Sequence, residues 1–297
     1  MNKEKWLLKN TESLKGKTVA VTGTTGGIGG ELCSYLCSLG ASLLLLDRNR
    51  ERSDSHRKSL LSRYPEACVS CIPLDLEDIV SARDAADAVI SAGADIFIHN
   101  AGAYAIPRKV LETGYDNVFQ INFASVYYMI RRILPAFRER GGRVVVVGSI
   151  AHNYSVTDEN DIDFKTRKQA SKVYGNSKRY LMFSLYELFK AEKDVSLAVT
   201  HPGITFTGIT NHYPKVIFAI IKHPMKIIFM KRDKAALSVL RGVFESTEYC
   251  RWIGPRIFNV WGLPKNQSLS TCKTEEIHRI SKTAEEVYLR CVEAVGE

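Results

Sequence analysis

Short runs of uniformly apolar residues recur along this chain of 297 residues, and helical patterns separate them. TVAVT at residues 18–22, SLLLL at 42–46, the run at 69–74, DIFIH at 95–99, RVVVVG at 143–148 and the run at 195–200 all read as strands. None alternates polar with apolar, which is the pattern of a strand buried on both faces. Strands that alternate with helices build a parallel sheet covered on both sides. The expected fold is therefore α/β, a doubly wound parallel sheet of about seven strands. Ligands of such a sheet bind outside the carboxyl ends of the strands, at the switch in strand order. Gly23, Asn100, Ser149 and His201 all stand at or just after such ends.

The helices between these strands are expected over residues 31–39, 50–64, 76–91, 115–140, 169–193, 233–245 and 274–294. A last strand is expected at 256–260, and 252–264 reads as a loop leading through it. The whole chain, 1–297, is expected to form a single domain. Residues 1–15 form an N-terminal extension, 203–232 an insert before the next helix, and 263–297 a C-terminal helix.

Composition removes several classes of function. No stretch of about 18 apolar residues could span a bilayer, and MNKEKWLLKN lacks the apolar core and cleavage site of a signal peptide. Seven cysteines, an odd number, fit reduced thiols and a cytoplasmic protein. Cys68 and Cys71 are three apart in a strand-like run, so their side chains point to opposite faces and make no metal pair. Cys33 and Cys37 share a helix face and suit packing. No metal site is expected. The net charge of +9 is spread along the chain. With no nucleic-acid motif beside it, it reads as a solvated basic surface, an anionic substrate or a membrane surface.

The chemistry-bearing residues follow the strands. TGTTGGIG at 22–29 places Gly23, Thr25, Gly27, Ile28 and Gly29 between the first strand and a helix. Glycines there permit a tight turn and close approach of a pyrophosphate to the positive helix N-terminus. Asp47 closes the second strand, placed to accept hydrogen bonds from the adenosine ribose hydroxyls. Asp47 favours NAD by repelling a 2′-phosphate, whereas Arg48, with Arg50 and Arg52 nearby, suits a phosphate. NAD is the favoured expectation, with NADP retained. Asp75, followed by Leu76, is expected at the adenine or as a capping residue. Tyr174 and Lys178 stand one helical turn apart on one face. A free tyrosine has a pKa near 10, and a neighbouring ammonium would lower it towards neutral pH. Ser149 ends the preceding strand, where its hydroxyl can hold a substrate oxygen.

With these motifs in order, the chain resembles the short-chain dehydrogenases/reductases over about residues 16–262, and so a Rossmann-type sheet is implied. The glycine turn, Asn100-Ala101-Gly102, Asn122, Ser149, Tyr174-x-x-x-Lys178 and Pro202-Gly203 carry the resemblance. It implies that Tyr174 is the general acid/base, that Lys178 holds the nicotinamide ribose and lowers the tyrosine pKa, and that Ser149 orients the substrate oxygen. Asn122 would shape the helix that positions the lysine and its relay water. Asn100, Ala101 and Gly102 would support the sheet beside the cofactor, and Pro202, Gly203, Ile204 and Thr207 would border the nicotinamide. Ser149 and Tyr174 are 25 residues apart, wider than the family's common spacing. This widening is similar to the retinol-dehydrogenase-like and WW-domain oxidoreductase-like branches. Gly175 between Tyr and Lys makes room for substrate or a packed helix.

Reversible interconversion of an alcohol and a ketone or aldehyde is the implied reaction. Reduction of an activated C=C bond, or dinucleotide sensing without catalysis, are the alternatives. The apolar blocks of 216–230 (VIFAIIKHPMKIIFM) fit a lid for a hydrophobic substrate such as a steroid, retinoid or lipid. They also fit plain packing, or peripheral membrane contact with Lys222 and Lys226. His201 and His212 lie near the expected mouth without enough partners for a metal. Homo-oligomerisation through the two long helices is implied by the resemblance.

Overall fold

The computed structural model describes residues 3–204, 230–271 and 273–297. Eight strands form one sheet in the order β3-β2-β1-β4-β5-β6-β7-β8. They are β1 (Thr18–Thr22), β2 (Ser42–Asp47), β3 (Val69–Pro73), β4 (Ile96–His99), β5 (Arg143–Val147), β6 (Ser196–Thr200), β7 (Arg251–Ile257) and β8 (Trp261–Ser268). The first seven are parallel, and β8 returns antiparallel to β7. The strand order reverses between β1 and β4, where Thr22 pairs with His99. Successive side chains of a strand point to opposite faces. Val19 and Val21 accordingly join the cluster with Leu32 and Leu36, while Ala20 joins that of Phe97, Phe123 and Tyr180. The uniform apolarity of the strands has this origin.

Helices α1 (Lys3–Asn10), α2 (Gly27–Ser38), α3 (Arg50–Arg63) and α4 (Ile79–Ser91) accompany the first half of the sheet. A short helix α5 (Asn117–Phe119), a π-helical stretch (Gln120–Ala124) and α6 (Ser125–Arg140) run on without a break. They are followed by a 3-10 turn (Ile150–Tyr154), α7 (Ala170–Lys190), α8 (Arg232–Phe244) and α9 (Thr274–Ala294). Asn49 and Asp78 cap α3 and α4 by accepting from Arg52 N and Val80 N, which satisfies donors that a helix leaves unpaired. Trp6 buries α1 against the core that holds Leu14 and Val19.

The carboxyl end of the chain departs from the sequence-based expectation. Instead of a loop and one strand at 256–260, residues 251–268 form the β7–β8 hairpin. Its turn holds Phe258 and Asn259 at φ 51° and 58°, with Val260 N donating to Ile257 O at 3.0 Å. That left-handed pair twists as hairpin strands require. A phenylalanine there gives no turn signal, because such positions favour glycine and asparagine. The C-terminal helix begins at Thr274 and ends at Ala294, so 263–268 belong to β8. Pro264 and Lys265 lie on this edge strand and discourage pairing with further strands.

Helix α9 lies across α6 and α7, the helices expected to pair two subunits. Arg131 stacks on Tyr288 with its guanidinium 4.2 Å from the ring centre, and Arg132 Nη1 donates to both Glu297 oxygens at 2.9 Å. The firmest joint is buried: Arg179 of α7 donates through Nε to Glu276 Oε1 at 2.7 Å and through Nη2 to Oε2. Thr157 Oγ1 donates to Glu276 Oε1 at 2.6 Å. Removing one partner of a buried ion pair leaves an uncompensated charge and costs about 3–5 kcal/mol. Glu276→Ala is expected to lower the melting temperature by several degrees, and Arg179→Met with Glu276→Leu to restore most of it. Differential scanning calorimetry of the single and double variants checks this.

Candidate active site

One cavity of about 690 Å³ runs along the carboxyl ends of the parallel strands, from Thr25 and Arg48 past Asn100 to Ser149 and Tyr174. Its position follows from the switch in strand order between β1 and β4. The Thr22 hydroxyl accepts from Asn100 N at 3.1 Å and Ala101 N at 3.0 Å, and contacts His99 Nδ1 at 3.1 Å. Asn100 in turn donates through Nδ2 to Thr22 O at 3.2 Å and Gly23 O at 3.0 Å. This lattice locks the glycine turn to the end of β4. Gly23 takes φ +69°, and a Cβ on it would stand 2.8 Å from Ala101 Cα. A Cβ on Gly29 would meet Gly23 O at 2.3 Å and Asn100 Nδ2 at 2.8 Å. Gly26 precedes α2 without any side-chain cap, so first-turn N–H groups of that helix remain for an anion. A glycine cradle, an uncapped helix start and a long cavity together fit a dinucleotide.

Gly27, Ile28, Asp75, Leu76, Ala101, Gly102, Pro202, Gly203 and Ile204 also line the cavity, while Thr207 lies outside the described residues. Asp75 accepts from Glu77 N at 3.0 Å, a turn-stabilising bond. Asp47 differs from expectation. It is only 5% exposed, and its carboxylate accepts from Thr24 Oγ1, from Ser53 Oγ at 3.0 Å, and from Thr25 N and Oγ1 at 3.2 and 3.4 Å. The side chain expected to face a ribose lines the cavity, and its carboxylate also holds the glycine turn. Arg48 and Arg52, both exposed, stand on the cavity wall beside it.

At the other end, Ser149 caps the 3-10 turn by accepting from Ala151 N at 3.2 Å. Tyr174, on α7, lies beside Ser149, whose hydroxyl favours the ionised phenol. Lys178, one turn on, donates to Val147 O at 2.9 Å and stands 5.8 Å from the Tyr174 ring centre. Asn122 occupies the π-helical stretch, a widened turn that recurs at functional sites. Its Oδ1 accepts from Ala103 N at 2.9 Å, and its Nδ2 donates to Ala103 O at 2.9 Å and Ser177 Oγ at 3.1 Å. It ties the loop after β4 to α7 beside Lys178 and does not itself line the cavity.

The electrostatics differ from the simple expectation of an ammonium lowering a phenol. Burial pushes Tyr174 up to about 12, against which the bond with Ser149 acts weakly. Burial likewise pushes Lys178 down to about 7. Each group loses hydration in its charged form, and desolvation exceeds their mutual attraction.

The widened segment between Ser149 and Tyr174 is a brace. Ser155 donates to Lys172 O, Asn176 Nδ2 donates to Ile162 O at 2.8 Å, and Asp163 accepts from Asp116 N at 2.8 Å. Gly175 faces this brace. A Cβ on it would stand 2.2 Å from Ala151 O and 3.0 Å from Ser155 Oγ, so its room serves a packed segment. His201 lines the cavity but is held structurally: Nε2 bonds Asn259 O at 2.9 Å, and the ring stacks on Trp252 at 4.9 Å. Burial pushes it down to about 4. Sequence reasoning missed Tyr104, whose ring meets that of Tyr174 edge-on at 5.4 Å. Ile106, Ile150, Tyr154 and Ser171 join it around the reactive end. Their signal was an aromatic two residues past Gly102 at a strand end, without a motif to mark it.

The short chain dehydrogenase family model matches residues 17–215. Short-chain dehydrogenase TIC 32 A, chloroplastic, of Brassica napus is 29% identical over 219 residues, covering 68% of each chain. Human retinol dehydrogenase 13 is 28% identical, covering 67% of this chain and 62% of its own. The solved RhlG/NADP active-site complex of Pseudomonas aeruginosa is 27% identical, with a TM-score of 0.59 over 79% of this chain and 91% of its own.

Two measurements probe the site. Gly175→Ala must part α7 from the 3-10 turn that Ser149 caps. Turnover should fall at least about tenfold with little change in dinucleotide affinity, as expected when reacting groups shift by an ångström. Lys178 binds a proton more weakly folded than unfolded, so between pH 7 and 10 the unfolded chain holds the extra proton. Ligand-free stability should therefore rise over that window, and Lys178→Met should lose the rise in melts taken across pH.

Proposed function

We propose that this chain, which belongs to the short-chain dehydrogenase family, interconverts an alcohol and a ketone or aldehyde with NADP as its cofactor. The observation that carries the reaction is the convergence of Ser149, Tyr174 and Lys178 at one end of a cavity whose other end is a glycine cradle. A dinucleotide bound there supplies or accepts the hydride at the nicotinamide ring. In reduction, hydride reaches the carbonyl carbon and the Tyr174 hydroxyl gives its proton to the oxygen. Ser149 donates a hydrogen bond to that oxygen and holds the carbonyl in line. Lys178, protonated, lies close enough to favour the Tyr174 phenolate left behind. Solvent then returns the proton to Tyr174. Oxidation runs the same steps backwards.

NADP replaces the NAD favoured by sequence because of Asp47. A carboxylate already shared among Thr24, Thr25 and Ser53 has less capacity left for ribose hydroxyls, whereas the exposed Arg48 and Arg52 beside it on the cavity wall are placed for a phosphate. The NADP complex among the similar structures supports this. Tyr104, Ile106, Ile150 and Tyr154 around Tyr174 support an apolar substrate, since a pocket gains about 25 cal/mol per Å² of apolar surface buried.

A thermal-shift series with NAD, NADP and their reduced forms, followed by an alcohol and ketone panel, tests both parts. NADP(H) should stabilise the protein more than NAD(H), and Arg48→Ser should narrow that gap about tenfold or more in affinity. Tyr174→Phe should lose about 10²–10⁴-fold in turnover with cofactor affinity kept. Full turnover by Tyr174→Phe would rule out the assigned acid/base, and a larger shift with NAD would overturn the cofactor assignment.

A further inference from the structure

Ile257, Phe258 and Trp261 project from one place, the turn of the β7–β8 hairpin, at 41%, 85% and 37% exposure. Ile257 and Trp261 are direct cross-strand partners, so they share a face, and Phe258 caps the turn. Phe258 also holds φ 51°, a left-handed backbone that a side chain of its bulk rarely adopts. The hairpin turn needs the left-handed backbone but not a phenylalanine in it. A strained, exposed aromatic at a loop tip is a reason to look for a partner.

The surroundings define which partner. Between Glu248 and Glu275 the chain has no acidic residue, but it has Arg251, Arg256, Lys265 and Lys273. Arg256 and Lys265 are exposed on the hairpin itself. The tip is also fastened to the wall of the cavity. Asn259 O bonds His201 Nε2 at 2.9 Å. A Cβ on Gly203 would meet Val260 O at 2.8 Å, and Met230 Sδ and Pro255 Cγ at 3.0 Å. Exposed Lys231 follows Met230 beside that wall.

We propose that this hairpin tip docks the protein on an anionic phospholipid surface, with Ile257, Phe258 and Trp261 among the headgroups and Arg256, Lys231 and Lys265 facing the lipid phosphates. Aromatic side chains above a basic rim are the chemistry of interfacial attachment. The attachment proposed is peripheral, and no helix among the described residues is long and apolar enough to cross a membrane. Docked in this way, the mouth beside His201 and Gly203 opens towards the bilayer, and a substrate dissolved in lipid reaches Tyr174 without crossing water. Attachment itself needs no turnover. Only this delivery route rests on the function proposed above, so either can fail without the other.

The chain has three tryptophans. Trp6 and Trp252 are each 2% exposed, so quenching by brominated acyl chains reports Trp261. The full chain should sediment with phosphatidylcholine vesicles containing phosphatidylserine, bind them more weakly as salt rises, and lose Trp emission to brominated lipid. Phe258→Gly relaxes the turn, so it should fold at least as well, keep the thermal shift with NADP, and bind vesicles at least about tenfold more weakly. Absence of binding, absence of quenching, or full binding by Phe258→Gly would overturn the proposal. So would lipid-free self-association that Phe258→Gly abolishes, which would make a second copy of the chain the occupant.

Discussion

Everything at the reactive end of the molecule hangs from the crossing between β1 and β4. There the sheet reverses its strand order and the chain must leave in two directions, opening a crevice. A single hydroxyl, that of Thr22, receives the backbone of Asn100 and Ala101, and the Asn100 amide closes the lattice on Gly23. The close contacts at Gly23 and Gly29 leave no slack in it. The glycine cradle therefore stands at a fixed height above the strand that leads, through Ala103 and Asn122, to Lys178.

A second consequence is the price of burying a tyrosine and a lysine together. Hydration is lost by both, so the phenol rises and the amine falls. The pair is assembled in space before it is assembled in charge. A charged Lys178 favours the Tyr174 phenolate. Geometry is thus prepared by packing at Gly175 and by the brace at residues 153–169.

The terminal third of the chain shows a different division of labour. Helix α9 is amphipathic, and both its ends, Thr274 and Ala294, were legible from the sequence. What it covers was not. Its buried Glu276 meets Arg179, on one of the helices through which resemblance alone implied pairing of subunits. The β7–β8 hairpin was half read, because Phe258 and Asn259 lack the glycine that marks such a turn. The exposed, strained Phe258 is also where the fold parts from the demands of its own stability.

Sequence alone determined the parallel sheet, since strands without polar alternation can be buried only between two helical layers. It also determined much of what converges, because Gly23, Asn100 and Ser149 each follow a strand end and Tyr174 stands one helical turn from Lys178. The tertiary structure decided which way side chains point once they arrive. Asp47 is an acid at the end of the second strand in either view, but only packing shows its carboxylate shared with Thr24, Thr25 and Ser53, with Arg48 beside it on the cavity wall. Tyr104 and Tyr174 are 70 residues apart, and nothing local in either marks the edge-on contact between them. Position along the strands is a local property, written in periodicity. Orientation and charge state depend on neighbours brought from elsewhere in the chain.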